Sequence, residues 1–107
     1  MTAIYCVKVE VAPSAERAWD DWNTAHHIPD VLAQPGFLRA SKYRLDSKAP
    51  DGWSRYWVLY EVQSCAALDA YLSGEAVKRL RADHLERFAD TTRLTREILE
   101  PVARVET

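Results

Sequence analysis

At 107 residues, with 48% hydrophobic and 28% charged side chains, the chain has the composition of one globular domain, which we place at residues 1–107. Its formal net charge of −2 leaves no basic field for nucleic acid or an anionic membrane surface, so neither is an expected partner. No apolar run approaches the roughly 20 residues of a membrane span, no signal peptide is evident, and two isolated cysteines fit a reducing compartment, so we expect a cytoplasmic protein.

The first part of the chain predicts a strand followed by a helix. Residues 3–11 alternate between two faces, as a strand does, and a proline follows them. Ser14 is placed to cap the next helix. The three-to-four spacing of small and apolar residues predicts a buried stripe formed by Ala15, Ala18, Trp22, Ala25 and Pro29. Because a proline disfavours helical geometry in the residue before it, we expect this helix to break or kink after His27.

Residues 37–45 and 53–62 predict the second and third strands, joined by a polar turn. The third strand is apolar on both faces, with Tyr56, Val58, Tyr60 and Val62 on one and Trp57 and Leu59 on the other. A strand of this kind needs cover on both faces. Two helices cover only one face of a four-stranded sheet, so we expect an identical subunit to cover the other, in a two-fold homodimer. The alternative is a solvent-facing sheet that carries two aromatic residues.

Two helical stretches and a final strand complete the chain. Ser64 caps the first stretch, Gly74 interrupts it, and the helix resumes over residues 75–90. The last strand is predicted over about residues 92–105, where Pro101 implies an edge position or a bulge. The order βαββαβ predicts a ferredoxin-like α+β fold, a four-stranded antiparallel sheet with its helices on one face.

The segment WNTAHHIPDVLAQPGFLRASKYR resembles the W-x4-H-x-P…PGF…A-x-x-Y-R pattern of the dimeric α+β-barrel superfamily, nearest to EthD-like proteins. The matching residues are Trp22, His27, Pro29, Pro35, Gly36, Phe37, Ala40, Tyr43 and Arg44. The resemblance covers most of the chain. It implies two sheets packed back to back, and a cavity in each monomer between the sheet and the helices. The superfamily includes cofactor-free monooxygenases, cyclases, isomerases and haem-handling enzymes, so the fold alone selects no chemistry.

The adjacent histidines His26 and His27 are the first candidates for chemistry. The resemblance implies that His27 lies beside the cavity, whereas helical spacing from Trp22 places His26 nearer the apolar stripe. If the helix breaks before Pro29, the spacing from Trp22 no longer decides which of the two histidines faces the interior. We favour His27 as the catalytic histidine and His26 as a residue that contacts substrate. The alternative is a histidine at the helix end that hydrogen-bonds backbone carbonyls.

His84 is a second candidate, because it falls at helical spacing on an apolar face with Val77, Leu80 and Phe88. A histidine centred on such a face points to the interior, as a satisfied core residue or as a cavity group opposite His27. In the second case, two imidazoles with pKa values near neutrality divide the general-base and general-acid roles.

Aromatic side chains are candidates for holding a flat ligand, since a ring stacks on it and a hydroxyl orients its carbonyl or phenol. The substrate-binding candidates chosen for this reason are Tyr5, Trp22, Tyr43, Tyr60 and Phe88. Core packing is the alternative for each of them. Arg39 and Arg44 on the second strand are placed to meet an anionic substrate, with surface or interface pairing as the alternative.

No metal-ligand spacing and no P-loop, GxGxxG or GxSxG motif occurs, so we expect no metal and no cofactor. The sequence therefore predicts a small homodimeric enzyme in which His27 and His84 perform acid/base chemistry. The reaction is of the isomerase, cyclase or lyase type, on a small apolar compound of aromatic or polyketide-like structure. One alternative is a non-catalytic ligand-binding or stress-associated dimer. Another is a cofactor-free monooxygenase or a haem-handling protein.

Overall fold

A computed structural model describes residues 2–107 and contains one sheet and a set of helices. The strands are β1 (Ala3–Val11), β2 (Phe37–Arg44), β3 (Ser54–Val62) and β4 (Thr92–Leu99). The helices are α1 (Glu16–Trp22), α2 (Ile28–Leu32), α3 (Cys65–Leu72) and α4 (Glu75–Phe88), and a π-helical turn (Asn23–His27) joins α1 to α2.

The four strands form an antiparallel sheet in the order β2-β3-β1-β4. This is the ferredoxin-like arrangement, and the predicted fold class is confirmed. β4 lies at an edge of the sheet, as expected, but it ends at Leu99, earlier than predicted. Pro101 falls outside the strand, because its nitrogen has no proton to donate to the β-ladder.

The helices cover one face of the sheet, and the hydrophobic core lies between the two layers. On this face Tyr5 of β1 lies opposite Tyr60 of β3, and Val9 lies opposite Tyr56. The helix residues buried against them are Trp19, Ile28, Val31, Leu68, Tyr71, Val77 and Leu80. Burial of each aliphatic side chain stabilises the fold by about 1.5–3 kcal/mol, so this layer holds the helices on the sheet.

The sequence predicts that the first helical region breaks or kinks after His27, and the structure has a π turn that ends at His27, after which the helical region continues as α2. In the π turn the Ile28 N–H donates to the carbonyl of Asn23, five residues earlier. This wider turn shifts the hydrogen-bond ladder by one residue just before Pro29, whose nitrogen has no proton to donate. The proline therefore lies at the start of α2 without ending the helix.

Two predictions for this helix are wrong. Ser14 does not cap it, because α1 begins at Glu16 and its N-cap residue, Ala15, makes no side-chain hydrogen bond. The buried stripe consists of Trp19, Asn23, Ile28 and Val31. Of the residues predicted for this stripe, Ala18, Ala25 and Pro29 are exposed. The alanines indicated the wrong face because an alanine side chain has little apolar area, so its exposure costs little free energy.

The later helices agree with the prediction. Ser64 caps α3, since its hydroxyl oxygen accepts a hydrogen bond from the Ala67 N–H at 3.1 Å. Gly74 separates α3 from α4 and is the N-cap residue of α4. Within residues 2–107, no helix is long and apolar enough to cross a membrane.

The other face of the sheet carries no helix, and apolar side chains are exposed on it. Tyr43, Trp57 and Leu99 are 58%, 38% and 39% exposed, and Tyr43 pairs directly with Trp57 across β2 and β3. Ion pairs also lie on this face, Lys8 with Glu97 and Arg39 with Glu61. We call it the open face. The homodimer expected to cover it stays a prediction.

Candidate active site

A cavity of about 30 Å³ lies between the sheet and the helices. Its apolar walls include Val7, Val9, Val31, Val58, Leu80 and Leu94. Its polar lining includes Trp19, Asn23, His27, Arg81, His84 and Arg96, and no aspartate or glutamate lines it within residues 2–107. This volume holds about two water molecules. A compound the size of an aromatic ring therefore enters only if side chains at the opening move.

His27 lies at this cavity, and the π turn places it there. Its ring centroid is 5.1 Å from that of Trp22 and 6.2 Å from that of His84. His26 is exposed and is not part of the lining, since successive helical residues point about 100° apart. The structure therefore brings His27, and not His26, to the cavity.

Burial controls the protonation of His27. Desolvation lowers the pKa of its imidazole below the usual 6.5, and the charge of Arg96 lowers it further, while Asp30 and Asp83 raise it. The neutral ring therefore predominates at neutral pH. Its Nδ1 atom is buried and has no hydrogen-bond partner among residues 2–107.

A hydrogen-bond chain fixes the tautomer of His84, the histidine on α4. The Thr92 hydroxyl donates to the carbonyl of Phe88 at 2.7 Å. Its oxygen is therefore the acceptor for His84 Nε2, 2.9 Å away. The proton lies on Nε2, and Nδ1 is the acceptor of the ring.

The environment of His84 keeps it neutral. Burial lowers its pKa to about 4, with smaller contributions in the same direction from His27 and Arg96. The expectation that both imidazoles titrate near neutrality is therefore wrong for His84. A ring with this pKa does not act as a general acid at neutral pH, and the orienting role remains open to it.

Tyrosines form one end of the cavity. Tyr5 and Tyr60 stack with ring centroids 5.9 Å apart, and Tyr71, which the sequence did not indicate, meets Tyr5 edge to face at 6.2 Å. Burial raises the pKa of Tyr60 and raises that of Tyr71 to about 12, so both phenols stay protonated. Arg81 Nη2 donates to the Tyr5 hydroxyl oxygen at 3.1 Å.

The other aromatic candidates lie elsewhere. Tyr43 is on the open face, because a β-bulge between Phe37 and Arg39 shifts the pairing of β2 by one residue. Such a shift exchanges the two faces of a strand. Trp22 and Phe88 contact the ring of His84, at centroid distances of 5.9 and 6.0 Å, and support it from behind the cavity lining.

The arginines predicted to bind an anion, Arg39 and Arg44, also lie outside the cavity lining. Arg39 pairs with Glu61 on the open face. Arg44 is exposed and is not part of the cavity lining. The arginines at the cavity are Arg81 and Arg96.

Four buried polar atoms around the cavity lack a hydrogen-bond partner within residues 2–107. They are Trp19 Nε1, Asn23 Oδ1, His27 Nδ1 and Arg81 Nε. Buried polar atoms are nearly always satisfied in folded proteins, so a cluster of unsatisfied ones indicates a place for water or ligand. The spacing of Trp19, Asn23 and His27, four residues apart, was a sequence signal for this cluster.

No group of three or more His, Cys, Asp or Glu side chains in the described part of the chain is arranged to hold a metal ion. The adjacent histidines contribute one ring to the cavity and one to the surface. The described cysteines are both unpaired, with Cys6 buried in β1 and Cys65 exposed on α3.

A family described as "Domain of unknown function (DUF4286)" matches residues 2–102. The chain belongs to this family. No curated protein matches the sequence. The DUF4286 assignment covers both histidines of the cavity and every strand of the sheet.

Solved structures of other proteins share the fold. An EthD family protein from Bacillus halodurans is 17% identical, with a TM-score of 0.67 over 94% of this chain and 99% of that one. HapK from Hahella chejuensis is 14% identical, with a TM-score of 0.69 over 100% and 98%. SnoaB from Streptomyces nogalater, a cofactor-independent oxygenase, is 15% identical, with a TM-score of 0.65 over 99% and 98%. At these identities the likeness establishes the fold, and the expected EthD-type fold is confirmed.

Proposed function

We propose that this protein is a small enzyme that moves a proton on a small, largely apolar compound of aromatic or polyketide-like structure, without a cofactor. One observation carries the proposal: the buried Nδ1 of His27 lacks a protein partner, and His27 lines a cavity whose walls combine aliphatic and aromatic side chains with polar ones. A neutral imidazole in such a place is suited to accept a proton from a bound compound.

His27 acts as the general base. A C–H bond next to a carbonyl of the substrate breaks, its proton goes to His27 Nδ1, and its electron pair is delocalised onto the carbonyl oxygen. Return of the proton to a different carbon completes an isomerisation. Attack of the carbanion on a second carbonyl carbon of the same molecule gives a cyclisation, in which the C=O π electrons move to that oxygen and His27 transfers the proton to it. The lowered pKa of His27 keeps the base form available at neutral pH.

Tyr5 stabilises the oxygen that becomes negative. Because its hydroxyl oxygen already accepts a hydrogen bond from Arg81, its proton is available to the substrate oxygen. A donor placed where charge develops typically contributes 10²-fold or more to the rate. His84 orients the substrate through Nδ1, since Thr92 holds its Nε2 proton.

A cofactor-independent oxygenase is an equally supported second candidate. The observation that favours it is the fold shared with SnoaB, which is described as such an enzyme. The first step is the same, because removal of a proton by His27 yields a carbanion that is able to reduce dioxygen. The two candidates differ in whether dioxygen is consumed.

The test uses 2-tetralone, a small aromatic ketone with acidic C–H bonds beside its carbonyl. The protein is incubated with it in deuterated buffer, deuterium uptake is followed by NMR, and dioxygen is followed with an electrode. We expect His27→Ala to slow the catalysed reaction about 10²-fold or more. The matched control is His26→Ala, which removes the exposed neighbouring imidazole and should leave the rate unchanged.

Deuterium uptake without dioxygen consumption supports an isomerase, cyclase or lyase, and consumption of dioxygen supports the oxygenase. Equal rates in the two alanine variants would remove His27 from the mechanism. If the wild-type protein gives no acceleration with 2-tetralone or related ketones but binds them, a non-catalytic ligand-binding protein replaces the proposal.

A further inference from the structure

Two arginines border the cavity without an acidic partner. Arg81 lies on α4, one turn before His84, and Arg96 lies on β4 opposite Val7 of β1. Neither forms an ion pair with any residue in the described range 2–107, whereas the arginines at positions 39, 87 and 93 do. The cavity lining within this range contributes no carboxylate to balance them.

The hydrogen bonds of Arg81 are incomplete. Its Nη2 donates to Tyr5, but its Nε is buried and unpartnered among the described residues. A guanidinium presents five donors in a fixed plane, and a buried donor left unsatisfied costs about 1–3 kcal/mol. An anion at this place would accept from it.

Arg96 lies at the opening of the cavity, because it is both an exposed residue and part of the lining. Its charge reaches the interior, since it lowers the pKa values of His27 and His84 and opposes the rise in the pKa of Tyr71 that burial causes. Arg81 acts on Tyr71 in the same direction. Both arginines thus make the cavity favourable for a negative charge.

We propose that Arg81 and Arg96 form a binding site for a carboxylate, and that the ligand of this cavity is a small aromatic acid. Two guanidinium groups suit an anion with two equivalent oxygens, and charge-assisted hydrogen bonds of this kind are the strong ones. The inference rests on the proposed function, because it places the carboxylate at the opening and the reacting part of the ligand toward His27.

The test compares benzoate with benzamide, which has the same shape and no charge. Protein labelled with ¹³C in its histidine rings is titrated with each compound, and the Kd values are taken from the NMR signals of His27 and His84. The exposed His26 is the internal reference. We expect benzoate to bind about 10-fold more tightly than benzamide, the value of one charge-assisted hydrogen bond.

Variants assign the preference to the two arginines. We expect Arg81→Gln and Arg96→Gln each to weaken benzoate about 10-fold and to leave benzamide within about twofold. Arg17→Gln is the control, because it removes an exposed arginine of α1 that is not part of the cavity lining, and it should change neither affinity. Bound benzoate should also raise the pKa of His27, since it offsets the charge of Arg96.

The outcomes separate this inference from the proposed function. If benzoate and benzamide bind the cavity with equal affinity, or if the arginine variants lower the two affinities equally, the carboxylate site is wrong. The cavity would still bind small aromatic ligands. If neither compound moves the His27 and His84 signals, the carboxylate site is wrong, and the deuterium-uptake test with 2-tetralone decides the proposed function separately.

Discussion

The hydrogen bonds of the buried His84 determine which of its ring nitrogens is free for the proposed chemistry. Its Nε2–H donates to the hydroxyl oxygen of Thr92, and the Thr92 hydroxyl donates to the carbonyl of Phe88. Only Nδ1 is left to face a ligand, and the low pKa keeps it unprotonated. The tautomer is set by residues outside the cavity lining, which a sequence motif does not reveal.

We predict that His84 makes the stability of the protein pH-dependent. An unfolded histidine takes up its proton near pH 6.5, whereas folded His84 does so only near pH 4. Between these values the unfolded state binds more protons, so the free energy of unfolding falls as the pH is lowered. The loss from this group is on the order of 3 kcal/mol, and it is absent above about pH 6.5.

Urea unfolding at several pH values across this window measures the effect, with His84→Leu as the variant. The difference between wild type and variant reports the contribution of His84 together with its coupling to His27, whose charge lowers the pKa of His84. The variant should show a much smaller loss on acidification. The same slope in both proteins would contradict the assigned pKa of His84.

We predict that the Thr92 hydroxyl stabilises the fold, because it links His84 to the carbonyl of Phe88. Thr92→Val keeps the volume but removes the hydroxyl, which leaves the His84 Nε2 proton and the Phe88 carbonyl without this partner. We expect a loss of about 1–3 kcal/mol in the free energy of unfolding. The control is Thr95→Val, an exposed position on the same strand. Similar unfolding free energies for the two variants would show that the hydroxyl is not needed.

At the scale of elements, the π turn determines which histidine reaches the cavity. Asn23 and His27 lie at its two ends, and both line the cavity, while His26 is exposed. A π turn holds one residue more than the corresponding α-helical turn, so the residues that follow it are rotated. Helical spacing from Trp22 favoured His26, but the buried stripe runs through Trp19 and Asn23, and His27 follows Asn23 by four residues.

The turn between α2 and β2 depends on Gly36. Its φ is +86°, a region that L-residues avoid, and a Cβ atom there would lie 2.6 Å from Ala67 Cβ of α3. We expect Gly36→Ala to lose about 1–2 kcal/mol from backbone strain and about 1–3 kcal/mol more from the clash. Thermal or urea unfolding measures this loss.

Gly52 is the matched control, because its φ is +91° and a Cβ atom there meets nothing within 4 Å. Gly52→Ala should therefore show the strain cost alone. Adding Ala67→Gly should recover part of the loss in the Gly36 variant and none in the Gly52 variant. Equal losses for the two glycine variants would mean that α3 moves away without cost.

At the scale of the whole molecule, we propose that the open face is the interface of a homodimer. Helices cover only the opposite face, and Tyr43, Trp57 and Leu99 are exposed. Pairs such as Lys8 with Glu97 are already neutralised within one subunit, so they oppose the packing of a second sheet less than free charges would.

We expect the wild-type chain to have twice the monomer mass by light scattering, and Trp57→Lys to be monomeric, since it places a charge in the middle of the interface. The control is Leu85→Lys, which changes an exposed leucine of α4 on the helical side and should leave the mass unchanged. A wild-type monomer, or a dimer that survives Trp57→Lys, would show that this face is not the interface.

The sequence by itself determined the order and type of the elements and the helix cap at Ser64. These follow from hydrophobic periodicity and local hydrogen bonding, which depend only on residues near each other in the chain. It also singled out His27, His84, Tyr5 and Tyr60, which the structure brings to one cavity.

The tertiary structure decided which side chains face that cavity. The π turn rotated the helix at His27, and the β-bulge in β2 moved Tyr43 to the open face. Each of these features adds one residue to the local repeat of the helix or strand. A regular hydrophobic pattern does not reveal the added residue, although it changes the direction of the side chains that follow. Arg81 and Arg96 were missed for a related reason, because an arginine at a cavity differs from one at the surface only in what packs around it.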